Sequence, residues 1–197
     1  GLQPGKMLVE LSTSSPELAA SLSEKFSRAG MRFLEAPVSG SITQARAGQL
    51  TILVGGNADD LEVALPALKD FSHEVIHLGP VGAGLVGKLA NNAAVMGTLV
   101  LLSEVMSMAT SAGIEPRALM QALKASSYGR GMVLNFLLPE IVLPEKFVPA
   151  TFSLDLGRKD IGLVTALAKK SDVSTPVLAL VEQAAVEMVA AGRGAED

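Results

Sequence analysis

The first 79 residues alternate short apolar runs with stretches of helical periodicity. Runs rich in β-branched and other apolar residues predict strands at 7–11, 33–38 and 50–54. After the first strand, Pro16 follows a series of hydroxyl residues and Gly30 closes the segment, which is typical of a capped helix. A second helix is predicted over 57–70, capped by Asn57 and broken or kinked at Pro66.

Beyond residue 80 the apolar positions recur almost entirely at helical spacing. Helices are predicted at 82–112, 116–125, 132–141, 153–170 and 176–190. The most apolar run, 93–102, is ten residues long and falls short of the ~20 residues that cross a bilayer, so we expect a buried helix. The pattern predicts an α/β domain at 1–79 followed by an all-helical domain at 80–197.

Composition excludes several classes of function. The 197 residues are 49% hydrophobic, which is ample for a packed core, and include no cysteine for disulfides, thiolate zinc sites or nucleophiles. A net charge of -4 with one tyrosine and no tryptophan gives little support to nucleic-acid binding. The first residues have no signal-peptide pattern, so we expect a cytoplasmic protein.

The only two histidines form a candidate zinc motif. His73-Glu-Val-Ile-His77 matches the H-E-x-x-H pattern of zinc proteases, which requires a helix. Here the β-branched pair and the following Gly79 favour a strand, on which residues four apart stand ~13 Å from each other. That distance is too long for one metal. A zinc hydrolase therefore remains an alternative only if residues 73–77 form a helix. Because we expect a strand there, we expect no metal site.

A glycine-rich turn links the two predicted domains. Gly82-x-Gly84-x-x-Gly87 fits the fingerprint of dinucleotide-binding folds, and it follows a predicted strand and opens a predicted helix. The fingerprint also requires a strand that ends in an acidic residue about 20 residues later, whereas Glu104 falls within the long helix. This mismatch argues against pyrophosphate binding at these glycines.

Lys88 and Asn92 are the strongest candidates for chemistry. They lie one turn apart on one helical face. The positive helix end and partial burial both disfavour an added proton on a lysine, which suits an acid–base role. The neighbouring amides of Asn91 and Asn92 would be costly in an apolar helix unless paired. From these residues alone, a solvated surface lysine remains the alternative.

A polar loop is predicted at 39–48. Its small residues allow successive backbone N–H groups to form an anion-binding concavity, and a plain turn is the alternative.

Four ordered segments together resemble the β-hydroxyacid dehydrogenases, the family of 3-hydroxyisobutyrate, tartronate semialdehyde and 6-phosphogluconate dehydrogenases. They resemble its Ser-Thr turn beside the nicotinamide, its substrate loop, its catalytic segment and the C-terminal segment that closes over the cofactor. In that order they are residues 12–16, residues 35–41, Gly82-x-Gly84-x-x-x-Lys88-x-x-x-Asn92, and Phe152 with Lys159-Asp160. The resemblance implies the second half of a Rossmann-type dinucleotide-binding domain and a helical 6-phosphogluconate-dehydrogenase-like catalytic and oligomerisation domain.

The resemblance also implies a role for each segment. Ser39, Gly40 and Ser41 would hold the substrate carboxylate. Lys88 would exchange the hydroxyl proton as hydride passes to or from NAD or NADP, and Asn92 would orient the substrate or the lysine amine. Residues expected at the cofactor are Thr13, Gly84, Phe152 and Lys159.

This sequence departs from the family in three places. The family usually has Asp where this chain has Glu35 and a second Gly where it has Ser41, and its glycine-rich N-terminal half precedes the segments seen here. We therefore expect a truncated NAD(P)-dependent 3-hydroxyacid dehydrogenase, with a non-catalytic oligomerisation or binding module as the alternative. Because the long helix is apolar on several faces, we also expect a homo-oligomer, either a dimer or a tetramer.

Overall fold

A computed structural model describes residues 3–197 and divides the chain into two compact units, Gly1–Met96 and Gly97–Asp197. The first unit is α/β and the second is helical, which confirms the predicted fold class. The division lies within a long helix, later in the chain than the boundary predicted at 79/80, and that boundary stays a prediction.

A five-stranded mixed sheet forms the centre of unit 1. Its strands are β1 (Met7–Glu10), β2 (Arg32–Glu35), β3 (Val38–Ser39), β4 (Leu50–Gly56) and β5 (Ser72–Gly79). Strand β4 pairs antiparallel with β2 and β3 on one side and parallel with β5 on the other, and β1 runs parallel to β2 at the edge. The helices are α1 (Pro16–Arg28), α2 (Ile42–Arg46), α3 (Ala58–Lys69) and the beginning of α4 (Ala83–Ser111).

The predicted strand 33–38 is divided in two by Pro37. Strands β2 and β3 keep one register against β4, so they form a single interrupted ladder. Pro37 accepts a hydrogen bond from the Leu53 amide at 3.0 Å through its carbonyl, but a proline has no N–H to donate. The interruption therefore follows from the missing donor.

Helices cover both faces of the sheet. Alternate residues of β2 point to opposite faces, so Phe33 and Leu34 belong to different cores. Leu34 packs with the buried α3 residues Ala64 and Leu68. Phe33 packs with α1 and with Leu85 at the beginning of α4. By the same alternation, the next residue after Leu34 faces the α1 and α4 side.

Local capping agrees with most of the helix predictions in unit 1. Ser15 accepts a hydrogen bond from the Leu18 amide at 3.2 Å and caps α1, and Asn57 caps α3. The expected break at Pro66 is wrong, because α3 continues through it while its neighbours Ala64 and Leu68 remain buried against the sheet. The predicted loop 39–48 is also wrong in part, because α2 forms within it.

The beginning of α4 lies directly on the sheet. A Cβ atom added at Gly84 would stand 2.5 Å from the Leu53 carbonyl oxygen and 2.7 Å from the Gly55 nitrogen. At Gly87 it would stand 2.3 Å from the Leu78 side chain. Two of the three fingerprint glycines, Gly84 and Gly87, are therefore used for packing of the helix on the strands, in agreement with the sequence argument against pyrophosphate binding.

Unit 2 contains the rest of α4 and four further helical segments. They are α5 (Pro116–Ala125), a π-helical segment (Val133–Val142), α6 (Leu154–Lys170) and α7 (Pro176–Met188), the last extended by a π-helical turn (Val189–Arg193). All the predicted helices are confirmed as helical. The predicted helix 132–141 differs in its hydrogen bonding, since the Leu143 amide donates to Leu138, five residues back, at 2.9 Å.

A buried glutamate caps α7 from another helix. Glu104 of α4 is 7% exposed, and its two carboxylate oxygens accept hydrogen bonds from the Val177 and Leu178 amides at 2.8 and 3.0 Å. Thr175, the residue just before α7, makes no side-chain capping bond. The carboxylate satisfies two amides that a helix N-terminus otherwise leaves without partners.

The apolar middle of α4 is exposed in the isolated chain, so the expected burial of 93–102 is wrong for this chain alone. The α4 apolar face, defined as Val95, Met96, Leu99 and Val100, has exposures from 48% to 61%. The length and composition of α4 would also allow it to cross a membrane, and 17% of its most apolar 18-residue stretch is buried. Core helices of soluble proteins can have the same length and composition.

We predict that Gly84→Ala destabilises unit 1 by roughly 1–3 kcal/mol, because the added methyl group meets the backbone of β4. The matched control is Gly162→Ala in α6, where the nearest atom to an added Cβ is 3.6 Å away. That substitution should stabilise its helix by about 0.5–1 kcal/mol through the better helix propensity of alanine. Calorimetric unfolding of both variants measures the difference, and equal stability of the two variants contradicts the packing argument.

Candidate functional site

The first turn of α4 lies over a buried carboxylate. Glu35, at the end of β2, is 0% exposed, and its Oε1 accepts a hydrogen bond from the Leu85 amide at 3.1 Å. Gly55 stands beside it in the sheet, and a Cβ there would lie 2.3 Å from the same oxygen. Glycine at that position leaves room for the carboxylate beneath the helix.

In unit 1 the predicted substrate loop contacts α4 near Lys88. Asn91 donates a hydrogen bond from Nδ2 to Ser39 Oγ at 3.4 Å. Lys88 is partly buried and lies three residues before Asn91, hence on the same face of the helix. The residue that contacts Ser39 therefore lies about one helical turn from Lys88, the candidate acid–base group.

Asn91 rather than Asn92 makes that contact. Asn91 is exposed and Asn92 is partly buried. The sequence argument from the cost of burying two amides therefore does not apply to Asn91. The role of Asn92 toward the substrate stays a prediction.

The substrate loop turns at Gly40 and then enters α2. Gly40 has φ of 137°, and a Cβ there would lie 2.7 Å from the Leu50 side chain, so glycine is required. Ser41 caps α2: its hydroxyl accepts from the Thr43 amide at 3.2 Å, and its own amide donates to Gln44 at 3.0 Å. Capping of α2 is thus a sufficient reason for a serine at position 41. The contact of Ser41 with the substrate stays a prediction.

The Ser-Thr turn follows β1 and leads into α1. Ser15 provides the cap of that helix, and Ser12 donates its amide to Glu10 at 2.9 Å. Thr13 is exposed between them. Helix capping is the structural explanation for this series of hydroxyl residues. It does not account for Thr13, because Ser15 provides the cap.

Packing accounts for Gly84, and its predicted contact with a cofactor stays a prediction. The other two residues predicted at the cofactor, Phe152 and Lys159, belong to unit 2. Lys159 pairs with Asp160 at 2.8 Å on the surface.

Asp197 holds the segment that contains Phe152. Its carboxylate accepts hydrogen bonds from the Thr151 and Phe152 amides, both at 2.7 Å. These two amides, Thr151 first, lower the pKa of Asp197. Asp197 and the two residues that it holds border a cavity of about 580 Å³ within unit 2. The cavity is lined by Met132, Ile141, Phe147, Thr151, Phe152 and Asp197 among others.

The histidine motif lies on a strand, as predicted. His73 and His77 both belong to β5, and His77 Nε2 donates to the Gly56 carbonyl at 2.9 Å. Within residues 3–197, no three His, Cys, Asp or Glu side chains come together in a way that could hold a metal ion. Strand geometry therefore removes the basis of the zinc hydrolase alternative.

Two family profiles divide the chain between them. Residues 1–79 match the NAD binding domain of 6-phosphogluconate dehydrogenase, and residues 82–197 match the profile described as NAD-binding of NADP-dependent 3-hydroxyisobutyrate dehydrogenase. The chain belongs to the β-hydroxyacid dehydrogenase family. The family resemblance deduced from the four segments is thereby confirmed.

Individual members of the family agree with this assignment. The chain is 35% identical over 181 residues to 3-hydroxyisobutyrate dehydrogenase of Pseudomonas aeruginosa, an alignment that covers 88% of this chain and 60% of the relative. It is 34% identical over 182 residues to the NAD-dependent L-serine dehydrogenase of the same organism, with 89% and 60% coverage. The chain therefore spans about 60% of the length of these curated relatives.

A solved structure of the family has the same fold. It is the Mycobacterium tuberculosis 3-hydroxyisobutyrate dehydrogenase crystallised with L-serine, which is 25% identical, with a TM-score of 0.62. The alignment covers 99% of this chain and 68% of that structure.

Sequence reasoning missed the supporting residues of the site. From the sequence, Glu35 stands out only as a departure from the family pattern. Glu104 stands out only as an acidic residue that lies within a helix instead of at the end of a strand. A glutamate within an otherwise buried strand, as in the run 33–38, is a signal that a partner must lie opposite it.

We predict that Asp197→Asn loosens the Phe152 segment, since a neutral amide accepts weaker hydrogen bonds from Thr151 and Phe152 than a carboxylate does. Amide exchange of these two residues, measured by NMR at neutral pH, should become several-fold faster. The control is the exposed Asp172→Asn on the loop after α6.

The same contact predicts a pH dependence. Because the pKa of Asp197 is lowered in the folded state, its stabilising effect is complete above the unfolded-state value of about 3.9 and is lost as the pH falls through the lowered value. Protection of the two amides, relative to their intrinsic exchange rates at each pH, that changes neither with the substitution nor with acid would contradict the assignment.

Proposed function

We propose that the protein is an NAD(P)-dependent oxidoreductase that interconverts a small 3-hydroxy acid and its semialdehyde. The observation that carries the proposal is the contact between Ser39 and Asn91. It brings the loop suited to a carboxylate next to the helical face that presents Lys88. The names of the relatives, a 3-hydroxyisobutyrate and a serine dehydrogenase, support a substrate whose carboxylate and hydroxyl group are joined through two carbons.

The residues in unit 1 fit the nicotinamide end of the cofactor better than its pyrophosphate. Thr13 is exposed just beyond the carboxyl end of β1, the edge at which parallel strands of such sheets bind nucleotides. Gly84 and Gly87 pack closely on the strands, which argues against a phosphate cradle at this turn. When bound, the cofactor supplies the acceptor or donor of hydride. For Phe152 and Lys159 of unit 2, contact with the cofactor stays a prediction.

The chain's own residues would bind and deprotonate the substrate. Ser39 and Gly40 would hold the carboxylate, and this fixes the hydroxyl group toward α4. Lys88 Nζ, as the free amine, would take the hydroxyl proton while the hydride leaves carbon with its electron pair and the C=O bond forms. In the reductive direction the ammonium would return that proton. Asn92 would keep the substrate or the amine oriented.

Lys88→Ala in the complete protein encoded by its gene should reduce kcat/KM for small 3-hydroxy acids by more than about 100-fold, the loss typical of a general base. The measurement is the steady-state rate of NAD(P)H formation with a series of small 3-hydroxy acids. Lys25→Ala serves as the control, because Lys25 is an exposed lysine of α1 in the same unit. Near-parental rates in the Lys88 variant would overturn the catalytic assignment.

We also propose a homo-oligomer, and a cytoplasmic location, which suits a chain without cysteine. Support for the oligomer comes from the α4 apolar face, whose four large side chains are exposed in one chain. Contiguous exposed apolar surface of this kind is typical of interfaces.

Leu99→Glu should dissociate the oligomer, because a charge on the α4 apolar face would be buried without a partner in the interface. The control is Val63→Glu on α3, since both Leu99 and Val63 are 58% exposed in the single chain. Light scattering at micromolar concentration reports the mass of each variant. A monomeric parent protein would refute the proposed assembly.

A further inference from the structure

Glu35 is a buried carboxylate that the proposed proton transfer does not use. It is fully buried, and its Oε2 has no hydrogen-bond partner among the described residues. Among the described residues the carboxylate thus accepts one hydrogen bond, from the Leu85 amide of α4 to Oε1. A buried charge with a single partner is costly, so that partner must matter to the fold or to the site.

The partner is the third residue of α4, whose amide no turn of the helix can satisfy. Gly82, just before the helix, has no side chain to cap it, so Glu35 supplies the cap from the sheet. The contact also acts at the positively polarised end of the helix, which favours a negative charge.

Space around the carboxylate is fixed by backbone rather than by mobile side chains. Gly55 approaches the carboxylate from the sheet, and Gly84 packs on Leu53 and Gly55 from the helix. The first turn of α4 is thus held both by glycine packing and by one hydrogen bond. Lys88 follows Leu85 by three residues, about 4.5 Å along the helix axis.

We propose that Glu35 is a positioning residue for the reaction: by capping α4 it sets where Lys88 stands relative to the substrate loop. This inference rests on the proposed function. The carboxylate fixes the helix, not the substrate, so its loss displaces the acid–base group and leaves carboxylate binding by Ser39 and Gly40 intact.

The test compares Glu35→Met and Glu35→Gln in the complete protein. Methionine has nearly the volume of glutamate but offers no oxygen, whereas glutamine offers an oxygen that accepts a weaker, neutral hydrogen bond. We expect kcat to fall about tenfold or more in E35M, as displaced catalytic groups typically show, and by a smaller factor in E35Q. KM for the 3-hydroxy acid should change less than about twofold in both variants. The control is Glu62→Gln, an exposed glutamate of α3.

A second readout does not depend on turnover. Amide exchange at Leu85, measured by NMR or by mass spectrometry of the peptide that contains it, should become faster in E35Q and faster again in E35M. If E35M does not fold, E35Q alone decides: parental kcat together with parental Leu85 exchange overturns the proposal. Parallel changes in kcat and KM that follow the folded fraction would also overturn it, since they indicate a purely structural role.

The Lys88→Ala variant separates the two levels of inference. If it remains active, the proposed function fails, while Leu85 exchange still tests the contact between Glu35 and α4. If it is inactive and E35M keeps parental kcat, only the positioning role fails.

Discussion

One hydrogen bond in unit 1 joins a buried strand carboxylate to the N-terminus of a long helix. Burying Glu35 would cost several kcal/mol without a partner, and the only bond that its carboxylate makes among the described residues goes to the Leu85 amide. The bond is possible because glycines at positions 55 and 84 let helix and sheet approach closely. The helix held in this way carries Lys88, the proposed acid–base group, so the proposed catalytic geometry depends on this contact.

Unit 2 uses the same device with a different result. Glu104 is also buried and also caps a helix from a remote element, but both of its oxygens accept amide hydrogen bonds. Its burial is therefore compensated at both oxygens, whereas one oxygen of Glu35 has no partner within residues 3–197. An incompletely satisfied buried carboxylate beside candidate catalytic residues is more readily explained by function than by stability.

The sequence predicted the local structure well and the remote contacts poorly. Periodicity and capping residues identified the strands and helices, because those signals lie within a few neighbouring residues, as with Asn57 and α3. The division of one strand at Pro37 and the short helix after Ser41 were missed, although both follow from local chemistry. Glu35 and Glu104 could not be assigned, because the helix amides that they cap lie 50 and 73 residues further along the chain. The exposure of the α4 apolar face was likewise not predicted, because a helix that is apolar on several faces is usually buried.

The most direct measurement is a crystal structure of the complete protein with a small 3-hydroxy acid bound. We expect the substrate carboxylate on Ser39 and Gly40, the hydroxyl oxygen about 3 Å from Lys88 Nζ, and the bond between Glu35 and Leu85 intact. A substrate carboxylate bound directly to Lys88, or a hydroxyl group that faces away from α4, would contradict the proposed chemistry.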